Sequence, residues 1–125
     1  MGRNGRKPGE RDIQERAFSF ACRIIKLYQF LAKQGGTGEV LGKQILRSGT
    51  SIGASLEEAA AGQSKADFVW KCNIALKEAR ETNYWLRLLL ETEVVPGNKL
   101  SDIANESNEL IAILTTIVKK SRSSK

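Results

Sequence analysis

Hydrophobic residues recur along the chain at alternating steps of three and four residues, in four separate stretches. This spacing is typical of amphipathic α-helices, because it places the apolar side chains on one face. The pattern predicts helices at about residues 12–33, 39–61, 64–90 and 99–120. The predicted buried faces, in chain order, are Ile13, Ala17, Phe20, Ile24, Leu27 and Leu31; Leu41, Ile45, Gly49, Ile52, Leu56 and Ala59; Val69, Cys72, Leu76, Ala79, Asn83, Leu86 and Leu90; and Ile103, Ser107, Leu110, Leu114 and Ile117.

Short segments rich in glycine, serine or proline separate the four stretches. Residues 34–38, 62–64 and 95–98 are typical of turns, and Ser64 followed by Asp67 predicts a capping box at the start of the third helix. Helices joined by such short turns pack as antiparallel neighbours. We therefore predict an all-α fold, an up-down-up-down antiparallel four-helix bundle. In that topology both chain termini and the turn between the second and third helices lie at one pole.

The predicted apolar surface is wider than a single bundle requires. A second apolar row lies beside the first on helix one, and helix three carries apolar residues opposite its buried face. These two sets are Phe18, Ala21, Ile25 and Tyr28, and Trp70, Ile74, Trp85 and Leu88. A helix that is apolar over most of its circumference needs more cover than two neighbours provide. We expect the bundle to assemble with copies of itself through an interface that includes Phe18, Trp70 and Trp85.

The predicted second helix has an unusually small-residue face, made of Ser48, Gly49, Ser51, Gly53, Ala54 and Ser55. A glycine inside a helix costs about 1 kcal/mol relative to alanine. Gly49 and Gly53 are therefore expected to let this helix pack very closely against the bulkier third helix. The same residues, read as a phosphate-binding loop, lack the preceding strand and the Gly-Lys-Ser/Thr ending of such a loop.

Charged residues on the second and third helices are spaced so that opposite charges face each other about a turn near residue 63. The expected ion pairs join Arg47 to Glu78 and Glu81, and Lys71 to Glu57 and Glu58. Partly desolvated pairs of this kind specify alignment more than stability. The alternative is a functional polar pocket to which Asn83 and Tyr84 contribute. Asn83, a polar residue on a buried face, can also fix register at some cost in stability.

Positive charge is concentrated at the two ends of the 125-residue chain, whose net charge is +6. Residues 1–11 carry +3, residues 119–125 carry +4, and the remainder carries −1. We predict a single domain with a disordered basic tail at 1–11, the bundle at 12–120 and a basic tail at 121–125. Basic tails suit phosphate backbones, although they also keep an oligomer soluble. The predicted nucleic-acid-binding residues are Arg3, Arg6, Lys7, Arg11, Lys65, Lys119, Lys120 and Arg122.

Several classes of protein are disfavoured by the composition. The chain has no histidine, so it lacks the commonest general base and metal ligand, and we expect no metal site, no cofactor and no enzymatic activity. Cys22 and Cys72 fall inside apolar segments and are expected to be free buried thiols. No apolar run approaches the length of a membrane span, and the N-terminus lacks the apolar core of a signal peptide. We expect a cytoplasmic protein.

The sequence LRSGTSIGASLEEA, followed by KADFVWKCNIALKEARETNYWLRLL, closely resembles a bacterial four-helix-bundle family encoded by intervening sequences in 23S rRNA genes. The resemblance covers helices two and three closely, and helices one and four by pattern. The residues that carry it are Arg47, Ser48, Ser51, Ile52, Gly53, Ala54, Glu57, Glu58, Ala59, Phe68, Lys71, Ala75, Lys77, Glu78, Glu81, Tyr84, Trp85 and Leu86.

This resemblance implies a homopentameric barrel of bundles, hence a cyclic homo-oligomer, with no established enzymatic activity. More distantly the chain is similar to the accessory variability proteins of diversity-generating retroelements, basic pentameric bundles that bind nucleic acid and a reverse transcriptase. Two functions follow as hypotheses. The first is an oligomer that binds RNA or DNA through basic tails and surface Lys and Arg without reading sequence. The second is a protein-interaction scaffold, for example an accessory subunit to a reverse transcriptase.

Overall fold

The computed structural model describes residues 8–95 and 97–123, and within these ranges it contains four α-helices and no strand. The helices are α1 (Pro8–Gln34), α2 (Gly36–Ala60), α3 (Lys65–Thr92) and α4 (Gly97–Ser123). The predicted all-α class is therefore confirmed. In the described ranges no helix carries an apolar stretch of the length that crossing a bilayer demands.

The four helices pack as a closed ring, in which each contacts its neighbours in the chain and α1 also contacts α4. The α1–α4 contact is the least extensive of the four. Because the connections are short, successive helices run in opposite directions. The beginning of α1, the end of α2, the beginning of α3 and the end of α4 consequently meet at one pole. Ile13, Leu56, Phe68 and Ile117, one residue from each helix, border a common small cavity there.

The core is built from the faces that the three- and four-residue spacing predicts. Every predicted face residue is buried or partly buried, and Ala17, Ile24, Ile45 and Leu110 have no accessible surface. Burying a side chain the size of leucine or isoleucine stabilises the fold by about 1.5–3 kcal/mol. Burial along one stripe of each helix is thus the main reason that these segments are helical in this chain.

The junction between α1 and α2 is tighter than the predicted turn at 34–38. A single residue, Gly35, separates the two helices, and Gly35 and Gly36 have φ angles of +72° and +59°. Such left-handed angles are accessible to glycine without a steric penalty, so the chain reverses within two residues. Gly38 consequently lies inside α2 and is buried.

The helix ends differ from the predicted ones by one to four residues, and the start of α3 differs by one. There the Ser64 hydroxyl accepts a hydrogen bond from the Asp67 backbone N–H at 3.1 Å, which confirms Ser64 as the N-cap within the predicted capping box. α1 begins at Pro8, within the predicted 1–11 tail, because proline's fixed φ suits a first helical turn. α4 continues to Ser123, beyond the predicted boundary at residue 120.

The small-residue face of α2 contacts both neighbours: Ser48 accepts a hydrogen bond from Thr82 of α3 at 2.8 Å, whereas the two glycines meet α1 and not α3 as predicted. A Cβ atom built on Gly49 would lie 2.9 Å from Cγ1 and Cγ2 of Ile24, which is closer than real Cβ contacts. At Gly53 the nearest atoms belong to Ala17 and lie 3.7 Å away, an ordinary contact. Only Gly49 of this pair is required by the packing.

Neither cysteine forms a disulfide, but only one is buried as predicted. Cys72 lies in the core, whereas Cys22 is exposed on α1. Cys22 is two positions from each of Phe20 and Ile24, both buried, and two helical positions correspond to about 200° of rotation. It therefore points away from the core, and the prediction of a buried Cys22 is wrong.

Candidate functional site

The pole where the chain termini meet carries a groove of about 440 Å³ between the start of α3 and the end of α4. Its lining combines one aromatic ring, two cationic side chains and four smaller residues: Trp70, Lys65, Arg122, Ala66, Val69, Asn73 and Ser121. Lys65 and Arg122 lie 57 positions apart in the chain, and they meet because α3 begins where α4 ends. This surface is called the α3–α4 groove below.

The predicted nucleic-acid-binding residues within the described ranges all lie at this pole. Lys65 occupies the first position of α3, and Lys119, Lys120 and Arg122 occupy the last turns of α4, where all four are exposed. Cations near a helix C-terminus are favoured by the helix dipole, so α4 can present them there at little cost. Arg3, Arg6 and Lys7 lie outside the described residues, and so does the side chain of Arg11.

Trp70 is the aromatic residue of the groove, and 62% of its surface is accessible. The Lys71 ammonium lies over its ring, 5.3 Å from the centroid, in a cation–π contact. The same ammonium pairs with Glu58 on α2 at 2.5 Å, while Glu57 is exposed. Of the two predicted partners of Lys71, Glu58 is the one that forms the ion pair.

A cluster of charged side chains lies midway along the α2–α3 contact and joins Arg47 to Glu78 and Glu81. Arg47 lies 3.4 Å from Glu78 and also donates to Glu81, which accepts a further hydrogen bond from the indole N–H of Trp85 at 3.0 Å. Hydrogen bonds from Arg47 and Trp85 lower the pKa of Glu81 below its usual value. The cluster links two helices at the positions that antiparallel pairing predicts.

Asn83 does not join Arg47 in a shared pocket, because it faces α4. Its side-chain amide donates to Ser107 at 2.9 Å and to Asn108 at 3.1 Å, and its oxygen accepts from Arg87 at 2.9 Å. Tyr84, the other residue of the alternative polar pocket, is half-exposed and packs edge-on against Trp85. The Arg47 cluster connects α2 to α3, whereas the hydrogen bonds of Asn83 connect α3 to α4. This separation favours alignment of the bundle as the role of both.

An ion pair that the sequence does not predict connects α1 to α4. The Arg16 guanidinium donates two hydrogen bonds to Glu106, at 2.9 and 3.0 Å. The pair spans a groove of about 480 Å³ along the least extensive helix contact. The two residues are 90 positions apart, so no local spacing could have revealed the pair.

The three residues predicted at a subunit interface differ in exposure. Phe18 and Trp70 are 69% and 62% accessible, so a single bundle leaves both largely uncovered. Trp85 is partly buried, packs against the core and hydrogen bonds to Glu81. Its position already has an explanation within one chain. In the described ranges, no three Asp, Glu, Cys or His residues lie close enough together to hold a metal ion.

Reversing the charge of Arg47 is expected to destabilise the bundle. In Arg47→Glu, three carboxylates meet at the α2–α3 contact. Because Arg47 is 51% exposed and screened by water, the expected loss in the free energy of unfolding is only about 1–2 kcal/mol. Chemical denaturation measures it. Arg47→Glu/Glu78→Arg should recover most of the loss, and more than reversal at Glu81, which also serves Trp85. Absence of recovery in both double variants would contradict the pairing.

Comparison with known proteins identifies relatives of this fold. A family model described as 23S rRNA-intervening sequence protein matches residues 10–116. A crystal structure of a protein of unknown function from the S23 ribosomal protein family of Bacteroides thetaiotaomicron VPI-5482 is 45% identical. It aligns over 89% of this chain and 98% of that chain, with a TM-score of 0.81. The comparison with curated proteins returned no significant match. The predicted family is thus confirmed, and the chain belongs to the 23S rRNA-intervening sequence proteins.

Proposed function

We propose that this protein is a non-enzymatic bundle that assembles with copies of itself and binds nucleic acid at the pole that carries the α3–α4 groove. The observation that carries the proposal is the convergence of Lys65, Lys119, Lys120 and Arg122 there, all of them exposed. Residues 12–118, which include Lys65, carry a net charge of only −1. We therefore expect the binding surface to lie at this end of the molecule.

Cationic side chains at such a surface bind phosphates and release counterions from the nucleic acid. Contacts of this kind fix the position of a nucleic acid and carry no sequence information. Arg3, Arg6 and Lys7, which were also predicted to bind, lie outside the described residues. Binding is expected to be general for the phosphate backbone.

Assembly would increase the affinity by repeating this surface. Phe18 and Ile25, seven positions apart on α1, leave apolar area exposed that a second copy would cover. In a cyclic pentamer, which the family resemblance implies, five basic poles would act on one nucleic acid, and individually weak contacts would add up. The same exposed α1 surface supports the second candidate, a scaffold that holds a protein partner such as a reverse transcriptase.

The test is the salt dependence of nucleic-acid binding by the full chain and by Lys119→Gln/Lys120→Gln/Arg122→Gln. Substitution is preferable to truncation, because α4 extends to Ser123. Each lost phosphate contact lowers the slope of log affinity against log salt by about 0.7–0.9. We expect the slope of the triple variant to be smaller by at least about one such contact, measured by fluorescence anisotropy.

A matched control removes the same charge elsewhere. Lys26, Lys33 and Lys43 are exposed and lie toward the opposite pole. Their triple substitution by Gln should leave the slope close to that of the natural sequence. Equal losses in the two triple variants would contradict binding at one pole. No binding by the natural sequence at low salt would leave the scaffold as the surviving candidate.

A further inference from the structure

The α3–α4 groove contains a feature that phosphate binding does not explain, the exposed ring of Trp70. A large aromatic side chain of this kind is normally at least half-covered in a folded protein. Trp70 instead has 62% of its surface accessible and lines the groove beside Lys65 and Arg122. The ring therefore presents apolar, planar surface next to cationic side chains.

That combination matches the two chemical parts of a nucleotide. A planar base stacks on an aromatic ring, while a neighbouring phosphate pairs with a cation. The Lys71 ammonium lies 5.3 Å from the ring centroid of Trp70 and is held there by its ion pair with Glu58. Lys65 and Arg122 lie across the same groove, within reach of a backbone that passes the ring.

We infer that Trp70 is a base-stacking residue and that the pole prefers single-stranded to double-stranded nucleic acid. The inference rests on the proposed function and specifies its ligand. In a duplex each base is stacked between its neighbours, so neither of its faces is available to a protein ring. A single strand offers unstacked bases, and stacking on a protein aromatic favours it whatever its sequence.

A second copy of this chain is the other occupant to consider, since Trp70 was also predicted at a subunit interface. Each copy carries the same net charge of +6. Covering Trp70 with the same pole of another subunit would bring Lys65 and Arg122 against like charges, without the negative charge that a phosphate backbone supplies. Phe18 lies on α1, does not line this groove and is 69% accessible, so it is the better interface residue.

The experiment compares one single strand of mixed sequence with the duplex formed from it and its complement. Both are labelled with fluorescein and titrated at low salt with the full-length natural protein, Trp70→Ala, Trp70→Phe and Phe30→Ala. Phe30 is the matched control, because it is an exposed aromatic residue near the opposite end of α1. The mass of each variant in solution is measured in parallel.

Trp70→Ala should weaken single-strand binding at least about fivefold, the effect of losing one stacked base, and leave duplex binding within about twofold. Trp70→Phe should keep most of the affinity, since phenylalanine retains a stacking surface. Phe30→Ala should change neither. All variants should keep the mass of the natural protein.

The outcomes that would overturn the stacking role alone differ from the one that would overturn the proposed function as well. Equal effects of Trp70→Ala on single strand and duplex, or no effect on either, would overturn the stacking role and leave the basic pole intact. A reduced oligomer mass in Trp70→Ala would assign the residue to a subunit interface and overturn the inference. Absence of binding to both probes by the natural protein would overturn the inference and the proposed function together.

Discussion

Gly49→Ala is expected to lower the free energy of unfolding by about 1–2 kcal/mol, although alanine is the better helix former. Its new Cβ would lie 2.9 Å from two carbon atoms of Ile24 on α1, so one of the helices must shift. Overpacking of a well-packed core costs about 1–3 kcal/mol. The gain in helix propensity, about 1 kcal/mol, offsets only part of that cost.

Gly53→Ala is the matched control, because it makes the same change four residues further along α2. Its Cβ would meet Ala17 at 3.7 Å, an ordinary contact, so the propensity gain remains. We expect this variant to be more stable than the natural protein by up to about 1 kcal/mol. Thermal or denaturant unfolding of the two single variants measures the difference directly.

Shortening the opposing side chain tests the mechanism. In Gly49→Ala/Ile24→Ala, the Ile24 atoms that would clash are gone, and the two substitutions should cost less together than the sum of their separate effects. Strict additivity, or a Gly49→Ala variant as stable as Gly53→Ala, would show that the α1–α2 approach is looser than the structure indicates.

Asn83→Ala is expected to cost about 2–3 kcal/mol. Asn83 is 7% accessible and makes hydrogen bonds to Ser107, Asn108 and Arg87. Each such bond contributes about 1 kcal/mol, and truncation adds a small void. Ser107 also donates to the Ala104 carbonyl at 2.6 Å, and Asn108 is exposed, so neither partner bears the full cost of an orphaned polar group.

Asn83→Leu separates stability from alignment. Leucine fills the space without the hydrogen bonds, and it should restore much of the stability that Asn83→Ala loses. If Asn83 fixes the register of α3 on α4, however, Asn83→Leu should show more than one set of amide signals by nuclear magnetic resonance. A single set together with full stability would show that the polar contact has no aligning role.

The sequence by itself determined the four helices, their buried faces and the cap at Ser64. These properties depend on local periodicity and on residues within one turn of each other, and a linear pattern contains both. It also indicated the Arg47 pairs, because α2 and α3 are adjacent in the chain and a short turn fixes their register. The resemblance in helices two and three likewise pointed to the family that the comparisons show.

Only the tertiary structure decided which neighbour each face meets and at what depth. Gly49 approaches α1 rather than α3, and Arg16 meets Glu106 across the ring. Trp70 shares a groove with Arg122 because α3 begins at the pole where α4 ends. Periodicity fixes the direction of a side chain about its own helix axis. The contact it makes depends also on the rotation of the adjoining helix and on the distance between the two axes, which are set by packing around the whole ring.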